Sequence, residues 1–222
     1  MDRRKLILGA SLTAAGALGS AAAAQRLRAR DGIKVAFLLG ENANVIDTAG
    51  PWEVFQDTMG SVDGRMAHFE LFTVAPTADP VRMTGGLVVK PTYALADAPQ
   101  PNVIVVPAQR SAAASLAWLK SASEKAELTL SICTGAFQLG RAGLLDGLTA
   151  TTHHEFWDSF EKEFPKVKLQ RGLRFVDNGR IATAGGLTSG IDLALHVVGR
   201  YFGEETAART AAYMEHQRVQ AT

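Results

Sequence analysis

The sequence predicts one α/β domain in which a mostly parallel sheet is covered by helices, and three observations carry that prediction. From Ile33 onward, short β-branched runs alternate with longer amphipathic segments. The short runs are continuously apolar, as strands buried on both faces must be. No internal repeat, low-complexity stretch or linker interrupts this alternation in a chain of 222 residues, a length that suits one large domain.

The N-terminus stands apart from that pattern. Residues 1–5 carry three basic groups, residues 6–19 are apolar and small, and residues 21–24 are alanines. This is the layout of a secretory signal peptide. The apolar run is too short and too rich in Ala and Gly for a membrane span, which needs about 20 predominantly apolar residues. Cleavage is therefore expected near Ala24, leaving residues 25–222 as a periplasmic or secreted domain without a stable membrane anchor. The Arg3-Arg4 pair resembles a Tat export signal, and a Sec signal fits the same residues.

Strands are predicted at residues 33–39, 69–75, 103–106 and 128–132. Helices are predicted at 52–59, 111–125, 135–142, 155–164, 189–202 and 204–217. The segments 83–93 and 173–183 read as extended hairpins, the second turning at Asn178-Gly179. Gly50-Pro51 reads as the opening of the first helix, with Asp47 in the loop before it.

Composition excludes several functions. With 23 Lys+Arg against 22 Asp+Glu, the chain has no electrostatic reason to bind nucleic acid. Its length and 47% hydrophobic content support a core without a structural metal. The single cysteine rules out an intramolecular disulfide and a cysteine-rich zinc site. No His/Asp/Glu cluster has metal-ligand spacing, so neither metal nor cofactor is expected.

Cys133 is the residue that needs explaining. It ends a buried strand and stands one or two residues before a helix, a turn that holds a side chain at the mouth of a sheet with helix N–H groups directed at it. Such donors lower a thiol from about 8.5 into the range of roughly 3.5–7.5. An isolated cysteine is otherwise most often a buried core thiol. His153 and His154 follow about twenty residues later, and either would complete a Cys–His pair. Adjacent residues on a strand do not share a pocket, so one of the two is expected at the surface. Gly185-Gly186 and Gly190 lack phosphate-loop spacing and read as close backbone packing near the cysteine. Trp52, Trp118 and Trp157 read as core anchors.

Three stretches carry a family resemblance: residues 131–153, with Ser-Ile-Cys133-Thr134-Gly-Ala-Phe and Thr-Thr-His153; residues 45–55, with Asp47-Thr-Ala-Gly50-Pro; and residues 183–195, with Gly185-Gly186. Together they resemble the ThiJ/PfpI superfamily over nearly all of residues 33–203. The resemblance implies a flavodoxin-like three-layer sandwich with a nucleophile elbow, shared with class I glutamine amidotransferases and usually found as a homodimer. The pattern is nearest to isonitrile hydratases, which convert R–NC to an N-substituted formamide without metal or organic cofactor, and to the amidase-like sensor domains of AraC-type regulators.

The same resemblance assigns Cys133, Thr134 and Asp47 as catalytic, with Gly50, Ala108, Gln109, His153, Gly185 and Gly186 around a small-molecule substrate. Where the family usually has Pro-Gly-Gly after the third strand, this chain has Pro107-Ala108-Gln109, a change that narrows the pocket or alters its oxyanion-binding amides.

Two other functions fit the motifs. One is an exported ligand-binding or stress-response domain without turnover. The DNA-binding form of that reading is disfavoured, because the chain ends about twenty residues past the helix at 189–202. The other is glyoxalase or deglycase chemistry, for which relatives usually carry glutamate in place of Asp47 and histidine or alanine in place of Thr134.

Overall fold

A computed structural model describes residues 25–218; the signal peptide predicted from the sequence, residues 1–24, lies outside the described residues. In chain order the elements are β1 (Ile33–Leu38), α1 (Val45–Gln56), β2 (Gly60–Val62), β3 (Arg65–Ala67), β4 (Phe69–Ala75), β5 (Val81–Arg82), β6 (Val88–Val89), β7 (Tyr93–Ala94) and β8 (Val103–Val106). There follow α2 (Ala113–Lys125), β9 (Leu128–Ser131), α3 (Gly135–Arg141), β10 (Thr149–Ala150), α4 (Trp157–Glu163), β11 (Lys168–Leu169), β12 (Phe175–Asp177), β13 (Ile181–Ala184), α5 (Ser189–Phe202) and α6 (Glu204–Tyr213).

Seven strands form the central sheet in the order β12-β13-β9-β8-β1-β4-β7. All neighbours pair in parallel except β12, which runs antiparallel to β13 through the turn at Asn178-Gly179. The predicted α/β class and its mostly parallel sheet are therefore present.

The strands are apolar on both faces because helices cover both. Alternate residues of β1, β8 and β9, including Val35, Phe37, Val105 and Leu130, pack with Val54 and Phe55 of α1 and Leu193 and Val197 of α5. The intervening residues Leu38, Ile104 and Val106 pack with Leu119 of α2, Phe137 and Leu139 of α3 and Phe160 of α4. This is the three-layer arrangement that period-two alternation in a doubly covered sheet demands.

The first helix departs from expectation. It begins at Val45, not at Trp52, because the Asn44 side chain caps it by accepting from the Ile46 and Asp47 N–H groups. Pro51 therefore lies inside α1 rather than at its start. Asp47 moves with this boundary, from the loop into the first helical turn.

Two further differences are local. The segment 83–93 is not one hairpin: β5 and β6 pair antiparallel, while β7 joins the central sheet beside β4. The predicted helix at 155–164 splits into a 3-10 turn at His154–Phe156 and then α4.

Candidate functional site

The carboxyl ends of β1, β8, β9 and β13 meet at one edge of the sheet, where open α/β folds bind ligands. Cys133 stands there between β9 and α3 with a φ of +57°, a left-handed conformation that a side-chain-bearing residue adopts only under constraint. The constraint is visible on both sides. Its N–H donates to the Gly185 carbonyl at 2.8 Å, and its carbonyl accepts from the Thr152 hydroxyl at 2.9 Å. A Cβ on Gly135 would stand 2.1 Å from the Val106 carbonyl oxygen, so only glycine lets α3 start this close to β8.

Asp47 reaches the same place from α1. It is fully buried, and its Oδ2 accepts the Ala108 N–H at 3.1 Å. Oδ1 has no well-formed hydrogen bond among the described residues, and the Cys133 thiol is the side chain that interacts with the carboxylate. Burial raises the Asp47 pKa to about 7, against the lowering effects of the Ala108 amide and the thiol.

Cys133 as a residue is 7% exposed. Burial first, and then the charge of Asp47, push it up to about 11; the Thr134 and Leu187 N–H groups and the Thr134 hydroxyl act against that rise. The direction is opposite to the low-pKa thiolate expected from the sequence. Helix α3 offers its amides, but desolvation and a neighbouring carboxylate outweigh them.

Two cavities are lined by residues whose amides face Cys133, although Cys133 itself lines neither. Thr134 lines one of about 220 Å³ with Gln109, Phe137, Gln138, Arg141 and Phe156. Leu187 lines the other, a cleft of about 410 Å³ that also takes in Gly185, Gly186, His153 and His154. Of the residues singled out from the sequence, Cys133, Asp47, Thr134 and the Ala108 backbone converge directly.

The remaining residues serve the site differently. Gly50 is used in packing, since a Cβ there would stand 2.9 Å from Ile191 of α5. The Gln109 side chain donates to the Leu38 carbonyl at 2.8 Å, which anchors it over the end of β1. Gly185 supplies the carbonyl that holds Cys133, and Gly186 makes room for the His153 ring, which a Cβ would meet at 2.2 Å.

Both histidines line the one cleft, contrary to expectation. They lie at a 3-10 turn rather than on a strand, and their rings stack with centroids 4.5 Å apart. Sequence reasoning missed Leu187, Ser189, Arg174 and Trp157 as cleft residues, and only the helix start at 188–189 offered a signal for any of them.

A sequence profile described as the DJ-1/PfpI family matches residues 33–200. The chain belongs to the DJ-1/PfpI family. Within the curated relatives, an isonitrile hydratase from Pseudomonas putida is 30% identical over 83% of this chain and 78% of its own length. The HTH-type transcriptional regulator GbdR from Pseudomonas aeruginosa is 27% identical over 83% of this chain. The chain spans about half the length of that regulator (51%). Among DJ-1/PfpI folds of known structure, a ThiJ/PfpI family protein from Pseudomonas syringae superposes with a TM-score of 0.74 at 24% identity, covering 86% of this chain and 78% of its own. Drosophila melanogaster DJ-1beta superposes with a TM-score of 0.70 at 16% identity, covering 84% and 99%. These matches carry the flavodoxin-like fold implied by the resemblance.

The DJ-1/PfpI elbow makes the charge state of Cys133 testable. Iodoacetamide labelling followed against pH is expected to give an apparent pKa above the free value of about 8.5. Asp47→Asn should lower it, because the neighbouring negative charge is gone. Rapid labelling at pH 6 in the folded protein would refute this arrangement.

Proposed function

We propose that the chain is a cysteine-dependent hydratase of a small electrophile, with an isonitrile as the leading substrate. The observation that carries this reading is the buried Asp47–Cys133 pair, a base with pKa about 7 beside a thiol that keeps its proton. The 30% identity to an isonitrile hydratase supports the same choice.

In this scheme the Asp47 carboxylate takes the thiol proton as sulfur attacks the terminal carbon of R–NC. Asp47 then delivers that proton to the same carbon, giving R–N=CH–S–Cys. Water adds to the carbon, its proton passes to nitrogen through Asp47, and the C–S bond breaks as the hydroxyl becomes a carbonyl. The products are R–NH–CHO and the free thiol, so one water is consumed and nothing is oxidised. The Thr134 amide and hydroxyl sit where they stabilise negative charge on sulfur.

Purified protein offered a panel of isonitriles and methylglyoxal is expected to yield N-substituted formamides, and Cys133→Ala is expected to yield none. Turnover of methylglyoxal alone would move the assignment to glyoxalase chemistry.

Similarity to a regulator that is twice as long favours a second reading, a ligand-binding domain without turnover. Saturable ligand binding with no product from any compound in the panel would establish it.

Export and self-association belong to the same proposal. Exposed large apolar side chains, among them Leu87, Val88 and Met66, support a homodimer, as the family resemblance implies. The exported chain is expected to start near Gln25 on N-terminal sequencing and to scatter light as two copies at micromolar concentration. An intact Met1 in a cytoplasmic product would refute export, and the mass of one chain would refute the dimer.

A further inference from the structure

The Asp47 carboxylate hangs on one backbone donor, the Ala108 N–H at 3.1 Å, so the site depends on where the loop after β8 is held. That loop, residues 107–110, contains the Pro107-Ala108-Gln109 run that departs from the family pattern. Its backbone is tied to the segment leading into α1. The Ala108 carbonyl accepts the Asn44 N–H at 2.8 Å, and the Arg110 N–H donates to the Glu41 carbonyl at 3.0 Å. Asn44 caps the helix that carries Asp47, so the loop and the carboxylate share one frame.

Gln109 stands between those two backbone bonds and reaches in two further directions. Its side-chain Nε2 donates to the Leu38 carbonyl at 2.8 Å, one residue past the last rung, Phe37 with Val105, that β1 makes with β8. Its own carbonyl accepts from the Gln138 Nε2 of α3 at 3.4 Å, and α3 begins two residues past Cys133. One residue thus joins the end of β1, the loop that serves Asp47 and the helix of the nucleophile.

The Gln109 amide leaves one of its own atoms unsatisfied. With Nε2 committed to Leu38, Oε1 lies buried with no hydrogen-bond partner among the described residues. An apolar side chain of the same length would leave no such orphan. Gly40 makes the room, since a Cβ there would stand 3.0 Å from that Oε1 and 3.2 Å from the Arg110 carbonyl oxygen. The unpaired acceptor weighs against stability, so what the amide contributes is the placement of the loop.

We propose that Gln109 is a positioning residue for the Asp47–Cys133 pair: its amide staples the loop after β8 to the end of β1 and keeps the Ala108 N–H on the Asp47 carboxylate. Gln109 acts through Ala108 without touching substrate. The proposal deepens the reading of Asp47 as the base and rests on it. The Ala108 amide and the Cys133 thiol are the groups that oppose the effect of burial on Asp47. Loosening the amide leaves burial less opposed, so Asp47 then titrates at higher pH.

Side-chain carboxyl resonances followed against pH in carbon-13-labelled protein, with Asp47→Asn to assign the signal, test this. Gln109→Met keeps the length, loses the donor and is expected to raise the Asp47 midpoint by roughly half a pH unit or more. Gly40→Ala presses on the same amide and is expected to move the midpoint the same way. Arg110→Ala removes only an exposed contact with Glu41 and is expected to leave it in place. In the hydration assay the pH profile of kcat should move with the titration, while KM changes by less than about two-fold. A chain that hydrates nothing fails the proposed reaction alone, because the titration is read without substrate. An unmoved midpoint in folded Gln109→Met, an equal shift in Arg110→Ala, or a raised KM with kcat unchanged would each overturn the proposal. Loss of the fold in both Gln109→Met and Gly40→Ala would overturn it too, because the amide would then hold the fold rather than the site.

Discussion

Asp47→Asn is expected to cut turnover by roughly 10² to 10⁴-fold while making the fold more stable at pH 8. The substitution keeps the acceptor that holds the Ala108 N–H and removes the exchangeable proton beside Cys133. The stability gain follows from the raised pKa. Between about pH 4 and pH 7 the folded chain holds a proton that the unfolded chain has released, so stability from this group is fully present in acid and is lost as pH rises through 7. A neutral amide escapes that loss, and the gain at pH 8 should be about 1–3 kcal/mol. Urea titrations at pH 5 and pH 8 on both proteins, with the hydration assay on the same samples, check both halves. Full activity in the Asn variant, or a loss of stability at pH 8, would mean that the carboxylate is structural.

Gly135→Ala is expected to be the most damaging small substitution at the elbow, costing more than about 3 kcal/mol. The added Cβ would stand 2.1 Å from the Val106 carbonyl oxygen and 3.0 Å from that of Pro107. Both are backbone atoms at or just past the end of β8, so neither can swing aside, and α3 must move instead. Gly64 supplies the control. It has a φ of +74° with nothing within 4 Å of an added Cβ, so Gly64→Ala should cost only the left-handed strain of about 1–2 kcal/mol. Thermal denaturation of the two variants side by side measures the difference. Equal losses would show that close approach at Gly135 is relieved without cost.

The strand at 103–106 was legible to the residue because burial on both faces leaves an uninterrupted apolar signature, and the one at 69–75 because apolar residues dominate it despite the exposed Glu70. The start of α1 was not. Its buried residues include Asp47, Thr48, Val54 and Phe55, so no single apolar stripe marks it, and Pro51 imitates a helix start while sitting in its middle. Strands of two or three residues, such as β2 and β10, are too short for any period to emerge. At the site, sequence motifs were enough to name Cys133, Asp47 and Thr134. The proton inventory of the pair was not readable, because it depends on how deeply the thiol is buried and on a carboxylate arriving from a distant segment. The cleft was hidden for a similar reason: Arg174, Trp157 and Ser189 belong to three segments that only the fold brings together.

The protonated resting state of Cys133 also sets how the chain withstands oxidants. Peroxides and disulfides attack thiolates, and burial beside the Asp47 carboxylate disfavours the Cys133 thiolate. The sulfur is therefore chemically quiet toward reagents that wait for a pre-formed anion. It becomes nucleophilic only toward a molecule that enters the pocket and lets Asp47 take the proton as the new bond forms. The reactivity of this buried, free cysteine is therefore gated by what fits beside it.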